Sequence, residues 1–424
     1  MDLLIKPRKL SGIIDCIPSK SYSHRAIIAA SLADGVSTIK NLLFSDDVMR
    51  TIEACRAFGA QITISDNRVT IKGTSSIVRR EKSKINVGES GSTIRFFIPI
   101  MLVNHEKMEF SGLNHLVNRS LEPYFKIFEK QGIDYTHPQD AFLPLNTEGK
   151  LKPDTFYVPG NISSQFITGL LFALPLLDGD SKIIVTTELE SRSYIGLTLD
   201  ILSLYGINIV NNNYQEFIIK GKQKYLPHDY VVEGDFSQAA FFLTAGFLGN
   251  DVKLRYMNID SLQGDKVILD DLKALGGYIH YEDNLLWCTK EEAKEAQISL
   301  ADSPDVGPIL GVACSMAKGE SLLTNCYRLR LKECDRLTCT VSELNKIGAI
   351  AKEYPNMMSF QSIKEFNSSL EVESHNDHRI AMSIAIASTC ANGPILLHRA
   401  ECVKKSYPTF WDDFKKLGGE FDVN

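Results

Sequence analysis

The chain has 424 residues, a length typical of two or three domains. Its net charge of −6, without any stretch rich in Lys and Arg, argues against a nucleic-acid partner. The start of the chain lacks the basic and then apolar segments of a secretion signal, and no stretch reaches the roughly 18 apolar residues of a membrane span, so we expect a cytoplasmic protein without a membrane partner.

The nine cysteines are scattered and include no Cys-x-x-Cys pair. An odd number of cysteines without paired spacing favours free thiols in a reducing compartment. Cys334 and Cys339 have no second pair of ligands nearby in the sequence, so we expect no metal site there.

Six similar units follow one another along the chain, and each contains two predicted helices. The second helix in five of the six units is amphipathic, with apolar residues at steps of three and four, as in Val48, Ile52 and Cys55. A glycine follows each second helix and supplies the left-handed C-cap that stops it. These glycines are 70–74 residues apart: Gly59, Gly132, Gly206, Gly276, Gly348 and Gly418.

The first helix of each unit is apolar on all sides, which predicts that it is buried. These helices are predicted over residues 26–32, 94–103, 166–177, 239–248, 308–316 and 380–391. Strand-like runs follow them, such as 182–187 and 394–397. Three such units could close around their buried helices, so that six would form two domains of about 200 residues each. An open solenoid is the alternative, but no capping repeats are evident at its ends.

The starts of the buried helices carry small polar and basic residues. They lie at residues 18–25, 88–95, 163–165, 234–238, 303–305 and 376–379. Each one alone is most simply a helix N-cap. Together, however, several helix N-termini with Lys20, Arg25, Arg95 and Arg379 indicate a site for a small, multiply anionic ligand.

Further polar groups precede the amphipathic helices at equivalent positions of the repeat. They lie at residues 118–119, 190–194, 328–336 and 402–408. A solvated run of surface charge is the simpler interpretation of the segment 328–336, which packs six charges into nine residues. Because the clusters recur at matching places, we favour one shared site.

Five of these segments resemble the signatures of the EPSP synthase family of enolpyruvyl transferases, in the family's order. They are residues 18–25, 91–95, 163–165, 332–336 and 376–379. The resemblance implies an α/β fold, a two-domain inside-out α/β barrel in which each domain has three βαβαββ repeats around buried parallel helices. It implies one domain at 18–231, on the shikimate-phosphate side, and a second formed by 1–17 plus 232–424. The chain would cross between them near Ile17 and Val231, with the active site in the interdomain cleft.

The resemblance also implies the reaction and its partners. The family adds the 5-hydroxyl of shikimate 3-phosphate to carbon 2 of phosphoenolpyruvate and then eliminates phosphate from a tetrahedral intermediate. The product leads to chorismate and the aromatic amino acids. Neither a metal nor an organic cofactor is required, and we expect a monomer.

Residue roles follow from matching positions. Asp305 matches the proton acceptor, Glu333 the group that protonates carbon 3, and Lys20 the lysine that touches both substrates. The positions matching the shikimate 3-phosphate side are Lys20, Ser21, Arg25, Ser163, Ser164, Gln165, Ser191, Tyr194, Asp305, Arg328 and Lys332. The positions matching the phosphoenolpyruvate side are Lys20, Gly91, Arg119, Gln165, Arg336, Arg379 and Lys405.

Three positions depart from the pattern of many members. Glu89 stands where Asn is common, Phe96 replaces a proline, and Arg328 stands where some members have Asn. Glyphosate competes with phosphoenolpyruvate in this family, and Glu89 and Phe96 leave the sensitivity of this chain open. Gly91 is interpreted as a position where the missing Cβ atom lets the donor substrate approach the backbone N–H groups closely. The alternative is a glycine that is needed only for a positive φ angle.

Other functions remain as alternatives. The sister UDP-N-acetylglucosamine enolpyruvyl transferase has the same fold and donor, but it usually shows Lys-Asn where this chain has Lys20-Ser21. An RNA-end-processing cyclase would need a nucleotide site, and no Gly-rich Lys-Ser/Thr phosphate loop is present. A non-catalytic anion-binding protein would gain nothing from the carboxylates of Asp305 and Glu333.

Overall fold

The structure is a computed structural model, and it describes residues 1–74, 83–104 and 107–424. These residues form two compact units. One consists of Met1–Ser19 with Glu233–Asn424, and the other of Lys20–Val232. Within the described part of the chain, none of the helices combines the length and the apolar character needed to cross a membrane.

Two strands precede the first helix: β1 (Leu3–Lys6) and β2 (Ser11–Asp15). The unit Lys20–Val232 then contains, in order, α1 (Lys20–Leu32), β3 (Val36–Lys40), α2 (Asp46–Ala57), β4 (Gln61–Ser65), β5 (Arg68–Lys72), β6 (Ser83–Asn86), α3 (Gly91–Leu102), β7 (Lys107–Ser111), α4 (Glu122–Gln131), β8 (Asp134–Thr136), β9 (Leu145–Glu148), β10 (Thr155–Val158), α5 (Ser164–Ala173), β11 (Ser181–Val185), α6 (Arg192–Leu204), β12 (Ile209–Asn212), β13 (Glu216–Ile219) and β14 (Tyr230–Val231).

The rest of the chain repeats this order. It contains α7 (Phe236–Phe247), β15 (Asp251–Arg255), α8 (Ile268–Ala274), β16 (Gly277–Glu282), β17 (Leu285–Lys290), β18 (Gln297–Ser299), α9 (Gly307–Ser315), β19 (Glu320–Thr324), α10 (Arg336–Lys346), β20 (Ile350–Tyr354), β21 (Met357–Gln361), β22 (Ser369–Glu373), α11 (His378–Ser388), β23 (Ile395–His398), α12 (Phe410–Lys416) and β24 (Glu420–Val423). Short 3-10 helices include Pro304–Val306 before α9, Tyr327–Leu331 before α10 and Ala400–Lys405 before α12.

Each repeat folds its strands into one four-stranded sheet. In the third repeat, for example, β10 pairs in parallel with β11, β11 pairs antiparallel with β13, and β13 pairs with β12. The predicted α/β fold of six repeats is therefore confirmed. The described strands lie in six separate sheets of this kind rather than in one continuous barrel wall.

Three of the six sheets take a strand from a distant part of the chain. β14 pairs with β3 and completes the sheet of the first repeat. β2 pairs with β15 in the fourth repeat, and β1 lies between β23 and β24 in the sixth. The N-terminal strands thus belong to the same compact unit as the second half of the chain.

The predicted buried helices are confirmed. Every residue of α7, α9 and α11 is buried, and these three helices pack against one another. In α1, every residue from Tyr22 to Leu32 is buried as well. Mutual packing of all three apolar helices closes the repeats into a compact unit, which an open solenoid would not do.

The glycines that follow the amphipathic helices adopt the expected conformation. All six have positive φ, from 70° at Gly132 to 115° at Gly59. Glycine populates this region without the steric cost that a Cβ atom adds, so it ends the helices at a regular spacing. The 70–74 residue period is therefore a structural period.

Candidate active site

The first turns of α3 and α5 are joined by side-chain hydrogen bonds. Arg95 Nη1 donates to Gln165 Oε1 at 2.9 Å, and Gln165 Nε2 donates to Ser92 Oγ at 2.9 Å. The Arg25 guanidinium of α1 lies 5.3 Å from the centre of the Phe96 ring of α3. The polar starts of three buried helices thus meet in the unit Lys20–Val232, as the anion-site hypothesis requires.

Arg25 is buried and fixed by three acceptors. Its Nε donates to Thr198 Oγ1 at 2.8 Å, its Nη1 to the Ser21 carbonyl at 2.8 Å, and its Nη2 to the Tyr194 carbonyl at 2.9 Å. Burial lowers the pKa of Arg25 to about 10, so the guanidinium still carries its charge at neutral pH. Arg25 therefore connects the backbones of Ser21 and Tyr194, and all three residues were predicted to bind shikimate 3-phosphate.

Lys20 has an acidic neighbour that the sequence around it does not show. Its Nζ atom lies 3.1 Å from Asp47 Oδ2, and both side chains are less than one-fifth exposed. Asp47 is in the acidic first turn of α2. The lysine is therefore oriented by a carboxylate and does not stand alone among cations.

Gly91 is enclosed by two arginines. It is the first residue of α3 and lacks a positive φ angle, which removes the alternative interpretation that the backbone alone requires glycine. A Cβ atom there would lie 2.6 Å from Arg119 Nη1 and 3.1 Å from Arg95 Nη1. The missing side chain thus leaves room for the guanidinium groups.

The serines predicted on the shikimate-phosphate side have different local roles. Ser163 is the N-cap of α5, and its Oγ accepts a hydrogen bond from the Gln165 backbone N–H at 3.3 Å. Ser164 is buried in the first turn. Ser191 precedes α6 with a left-handed backbone, φ 55°, and its side chain makes no capping hydrogen bond. The capping interpretation is therefore correct for Ser163, whereas Ser191, which was predicted as a substrate contact and not as a cap, makes no capping hydrogen bond.

A buried chain of hydroxyl groups supports two of these helix starts. His24 Nδ1 is 2.7 Å from Thr51 Oγ1, which is 2.8 Å from Thr93 Oγ1. Thr93 Oγ1 is 2.7 Å from Ser90 Oγ, the N-cap of α3. Burial, with help from Lys20 and Arg25, lowers the pKa of His24 well below its usual value, so the imidazole is neutral.

Three cationic side chains contact Asp305 in the unit formed by Met1–Ser19 and Glu233–Asn424. Lys332 Nζ lies 3.0 Å and Arg336 Nη1 3.1 Å from its Oδ1 atom, and Arg379 Nη2 lies 3.0 Å from Oδ2. Burial by itself would raise the pKa of this carboxyl group, but Arg379, Lys332 and Arg336 outweigh burial and hold it well below its usual value. Asp305 lies inside a 3-10 helix whose N-cap is Ser303, and the N-cap of the following α9 is Val306, so Asp305 is the N-cap of neither helix.

Arg336 is 1% exposed and donates to three carboxylates. Besides Asp305, its Nη2 donates to Glu333 and its Nε donates to Asp377 Oδ2 at 2.9 Å. The predicted proton acceptor and the predicted proton donor are thus bound to the same guanidinium. Such planar, charge-assisted contacts fix both distance and orientation.

Arg379 and Lys405 are positioned by the turn before α11. Asp377 is the N-cap of α11 and accepts a hydrogen bond from the Arg379 backbone N–H at 2.8 Å. Lys405 Nζ donates to the Asn376 carbonyl at 2.8 Å. The same short turn therefore holds both cations, and through Asp377 it also holds Arg336.

Lys332 and Arg328 lie next to the Asp305 cluster. Burial, together with Arg328 and Arg336, lowers the pKa of Lys332 to about 8, although Asp305 acts in the opposite direction. Arg328 is buried, and its Nη1 atom is 3.5 Å from the Ala301 carbonyl. The segment 328–336 is therefore not the solvated charge run that was the simpler interpretation.

Three acidic residues of these clusters were not predicted as site residues, and Arg95, which was predicted only as one of the cations of the anion site, also belongs to them. Asp47 pairs with Lys20, Asp377 with Arg336, and Arg95 with Gln165. Asp265 accepts a hydrogen bond from Ser237, and burial raises the pKa of Asp265 to about 6. Asp47 and Asp377 could have been noticed as acidic residues at helix starts, whereas no local pattern marks Asp265.

Known proteins are similar to this chain along almost its whole length. The family model for EPSP synthase (3-phosphoshikimate 1-carboxyvinyltransferase) matches residues 4–414. Proteins named 3-phosphoshikimate 1-carboxyvinyltransferase are similar over nearly the whole chain. The protein from Clostridium beijerinckii is 48% identical, and the match covers 99% of this chain and 98% of the relative. The protein from Clostridioides difficile is 46% identical, and the match again covers 99% of this chain and 98% of the relative.

A solved structure shows the same fold. EPSP synthase from Acinetobacter baumannii matches with a TM-score of 0.84 and 24% identity, and the match covers 100% of both chains. Because the family model spans almost the entire sequence and the relatives are similar from end to end, the chain belongs to the EPSP synthase (3-phosphoshikimate 1-carboxyvinyltransferase) family of enzymes.

Proposed function

We propose that this enzyme transfers the enolpyruvyl group of phosphoenolpyruvate to the 5-hydroxyl of shikimate 3-phosphate and releases phosphate. The observation that carries the proposal is the convergence of Lys332, Arg336 and Arg379 on Asp305. A site that only binds anions gains nothing from a buried carboxylate. A reaction that must remove a proton from a hydroxyl group beside anionic groups needs both the carboxylate and the cations.

Asp305 is the proposed general base. A carboxylate held by three cations is a weak base, because each cation stabilises its ionised form. We infer that, when the substrates bind, their anionic groups accept hydrogen bonds from Lys332, Arg336 and Arg379 in place of Asp305. The basicity of the Asp305 carboxylate would then increase only when the hydroxyl group is in place.

Glu333 is the proposed acid for carbon 3. In the structure Arg336 donates to it, and such a partner favours the ionised form of a carboxylate. Arginine presents a planar fork that suits the carboxylate of phosphoenolpyruvate. If that carboxylate takes the place of Glu333 on Arg336, Glu333 is released to receive and pass on a proton.

The remaining residues keep the substrate assignments that the family resemblance implies. We propose Ser21, Arg25, Ser163, Ser164, Gln165, Ser191, Tyr194, Arg328 and Lys332 for shikimate 3-phosphate, in addition to Lys20 and Asp305. We propose Gly91, Arg119, Gln165, Arg336, Arg379 and Lys405 for phosphoenolpyruvate, in addition to Lys20. Each of these two sets of residues includes members from both units, so we propose that both units act as domains of one enzyme. The proposed boundaries are 18–231 for one domain and 1–17 plus 232–424 for the other.

We also propose that the enzyme works in the cytosol as a monomer, without a metal or organic cofactor. The nine cysteines, all of which lie in the described ranges, are free thiols, as in proteins of reducing compartments. Size-exclusion chromatography with light scattering tests the oligomeric state. Activity should survive exhaustive chelation, and loss of activity that a divalent ion restores would contradict the cofactor proposal.

One assay distinguishes the candidate functions. Inorganic phosphate released from phosphoenolpyruvate is measured with shikimate 3-phosphate, with UDP-N-acetylglucosamine, or with no acceptor. We expect release only with shikimate 3-phosphate. Release with the sugar nucleotide would identify the sister activity, and no release with any acceptor would reject the proposed transfer.

A further inference from the structure

The ring of Phe96 covers one face of the Arg25 guanidinium group. The Cζ atom of Arg25 lies 5.3 Å from the centroid of the ring, which is within the range of cation–π contacts. Phe96 is 1% exposed and Arg25 is 3% exposed, so both partners of this contact are removed from water. A cation–π contact is strongest under these conditions, because water does not weaken the attraction between the charge and the ring.

The position of this ring is fixed by its neighbours. The imidazole of His24 meets it edge-on, with ring centroids 6.5 Å apart and an angle of 87° between the planes. The ring of Phe172 packs against it at a centroid distance of 6.2 Å. Phe96 belongs to α3 and Phe172 to α5, so two buried helices hold the ring against the arginine of α1.

The same arrangement recurs one repeat later. The Cζ atom of Arg95 lies 5.1 Å from the centroid of the Phe166 ring, and these residues belong to α3 and α5. From the first contact to the second, the arginine and the phenylalanine both move by 70 positions, which is one repeat. The contact therefore belongs to the design of the repeat and is not an accident of local packing.

Arg25 differs from Arg336 in its electrostatic partners. Arg336 donates to three carboxylates, whereas Arg25 forms no ion pair with a carboxylate within the part of the chain that the structure describes. The acceptors of Arg25 are two backbone carbonyls and the hydroxyl group of Thr198. A guanidinium group has five N–H bonds, so among the described residues one N–H on each of Nη1 and Nη2 is left for a ligand.

An aromatic ring can stabilise a buried cation without competing with a substrate for it. A carboxylate would neutralise the charge of Arg25 and occupy its N–H groups, so an incoming anion would first have to displace that carboxylate. The ring of Phe96 instead contacts the flat face of the guanidinium group. The charge and the N–H groups at the edge of the plane stay available to an anion.

We propose that Phe96 is a positioning residue for shikimate 3-phosphate, whose ring holds the Arg25 guanidinium plane in the orientation that meets an anionic group of this substrate. The inference rests on the proposed function and adds a residue that belongs to neither set of predicted substrate contacts. Without the ring, the guanidinium group loses the attraction on one face and can tilt, so binding has to restore its orientation. Since Arg25 was predicted for shikimate 3-phosphate only, phosphoenolpyruvate should be affected much less.

Replacement of the ring by an aliphatic side chain tests this inference. In Phe96→Leu the site stays apolar but loses the aromatic face, so the dissociation constant of shikimate 3-phosphate should rise about fivefold to thirtyfold in calorimetric titration. The KM for phosphoenolpyruvate at saturating shikimate 3-phosphate should change less than about twofold. Phe97→Leu is the matched control and should bind like wild type, because Phe97 is 0% exposed on the same helix and its ring packs against Phe58 at 6.1 Å.

A fluorinated ring separates the electrostatic contact from packing. Incorporation of pentafluorophenylalanine at position 96 nearly keeps the shape of the side chain but reverses the charge distribution of the ring, so its face repels a cation. We expect affinity for shikimate 3-phosphate to fall at least as much as in Phe96→Leu, whereas a residue that only fills space would keep wild-type affinity. Thermal unfolding shows which proteins are folded, and either folded replacement at position 96 is sufficient for the test.

The outcomes distinguish this inference from the proposed function. Wild-type affinity for shikimate 3-phosphate in the folded replacements at position 96 would overturn the inference and leave the proposed function intact. An equal loss of affinity in Phe97→Leu, or an equal rise of the KM for phosphoenolpyruvate in Phe96→Leu, would also overturn it. A wild-type enzyme that does not bind shikimate 3-phosphate would reject the proposed function and this inference with it.

Discussion

Asp305 and Glu333 accept hydrogen bonds from the same guanidinium group. Arg336 Nη1 lies 3.1 Å from Asp305 Oδ1, and Nη2 donates to Glu333 Oε2. The proposed base and the proposed acid are therefore joined through one buried cation. An anion that binds this guanidinium must change the charge environment of both carboxylates together.

Replacement of this cation should damage catalysis even when its charge is kept. Arg336→Lys retains a positive charge but cannot donate to three carboxylates through a planar fork. We expect kcat/KM for phosphoenolpyruvate to fall about 10²-fold or more. Arg399→Lys is the control, because Arg399 forms an exposed pair with Glu373 at 2.8 Å. Steady-state phosphate release measures both variants, and a value for Arg336→Lys within about threefold of wild type would contradict the assigned role.

Removal of the proposed base should affect turnover more than binding. Asp305→Asn keeps the shape of the side chain but cannot accept the hydroxyl proton, so we expect kcat to fall about 10²–10⁴-fold with a smaller change in KM. The free energy of unfolding should also fall, because Lys332, Arg336 and Arg379 lose a shared partner. Asp302→Asn, at a neighbouring exposed aspartate, is the control. Unchanged kcat in a less stable Asp305→Asn variant would make Asp305 a purely structural residue.

Binding of shikimate 3-phosphate should weaken in mildly alkaline solution. The pKa of Lys332 is about 8, chiefly because of burial, so the ammonium form is present below this pH and is lost above it. Only the charged form attracts a phosphate, and affinity should therefore fall as the pH rises through about 8. Calorimetric titration measures the dissociation constant across this range. In Lys332→Arg the charge is permanent, so an identical pH profile for variant and wild type would assign the effect to another group.

A methyl group at Gly91 should disturb the donor site. In Gly91→Ala the new Cβ would lie 2.6 Å from Arg119 Nη1, so the guanidinium must move. We expect a higher KM for phosphoenolpyruvate and a still larger rise in the inhibition constant of glyphosate, the longer of the two ligands. Gly196→Ala is the control, because a Cβ there meets only Tyr214 OH at 3.5 Å. An unchanged ratio of the two constants would refute the steric explanation.

Loss of the Lys20 charge should weaken the binding of both substrates. Lys20→Met removes the cation and leaves Asp47 without its partner, so the pocket becomes more repulsive for anions. We expect weaker binding of both substrates and a loss of kcat/KM greater than about 10²-fold. Asp47→Asn, which keeps the lysine, should have a smaller effect. Normal affinity of Lys20→Met for both substrates in titration would exclude the role assigned to Lys20.

The repeat and the helix starts could be predicted because they depend on local patterns. A helix that is apolar on all sides must be buried, and the glycines at positions such as Gly132 and Gly206 must end helices, so the sequence period became a structural period. The polar first turns could likewise be located, since a helix N-terminus and its cap are local features. Arg379 was thus identified from a helix start, whereas Lys332 and Arg336 were assigned to the site only through the family resemblance.

The partners of these cations could not be predicted in the same way. Asp47 is 27 residues from Lys20, and Asp377 is 41 residues from Arg336, so each pair depends on how helices pack. Asp265 is buried beside Ser237, and nothing in its neighbouring residues indicates that environment. The surroundings of Asp305 could not be predicted for the same reason, because its three cations come from α10, from α11 and from the segment before α10.

The exchange of strands between distant repeats has a consequence for synthesis of the chain. The sheet of the first repeat needs β14, which leaves the ribosome only after residue 230, and β1 pairs with β24, the last strand of the chain. β1 and β2 are thus made first, but the partner of β2 lies at the beginning of the second half of the chain and the partners of β1 lie near its end. Pairings between residues so far apart slow folding and leave strand edges open in the meantime. In the nascent enzyme β2 can pair once residues 251–255 of β15 have emerged, whereas β1 must wait for β23 and β24 and stays without its sheet through most of translation.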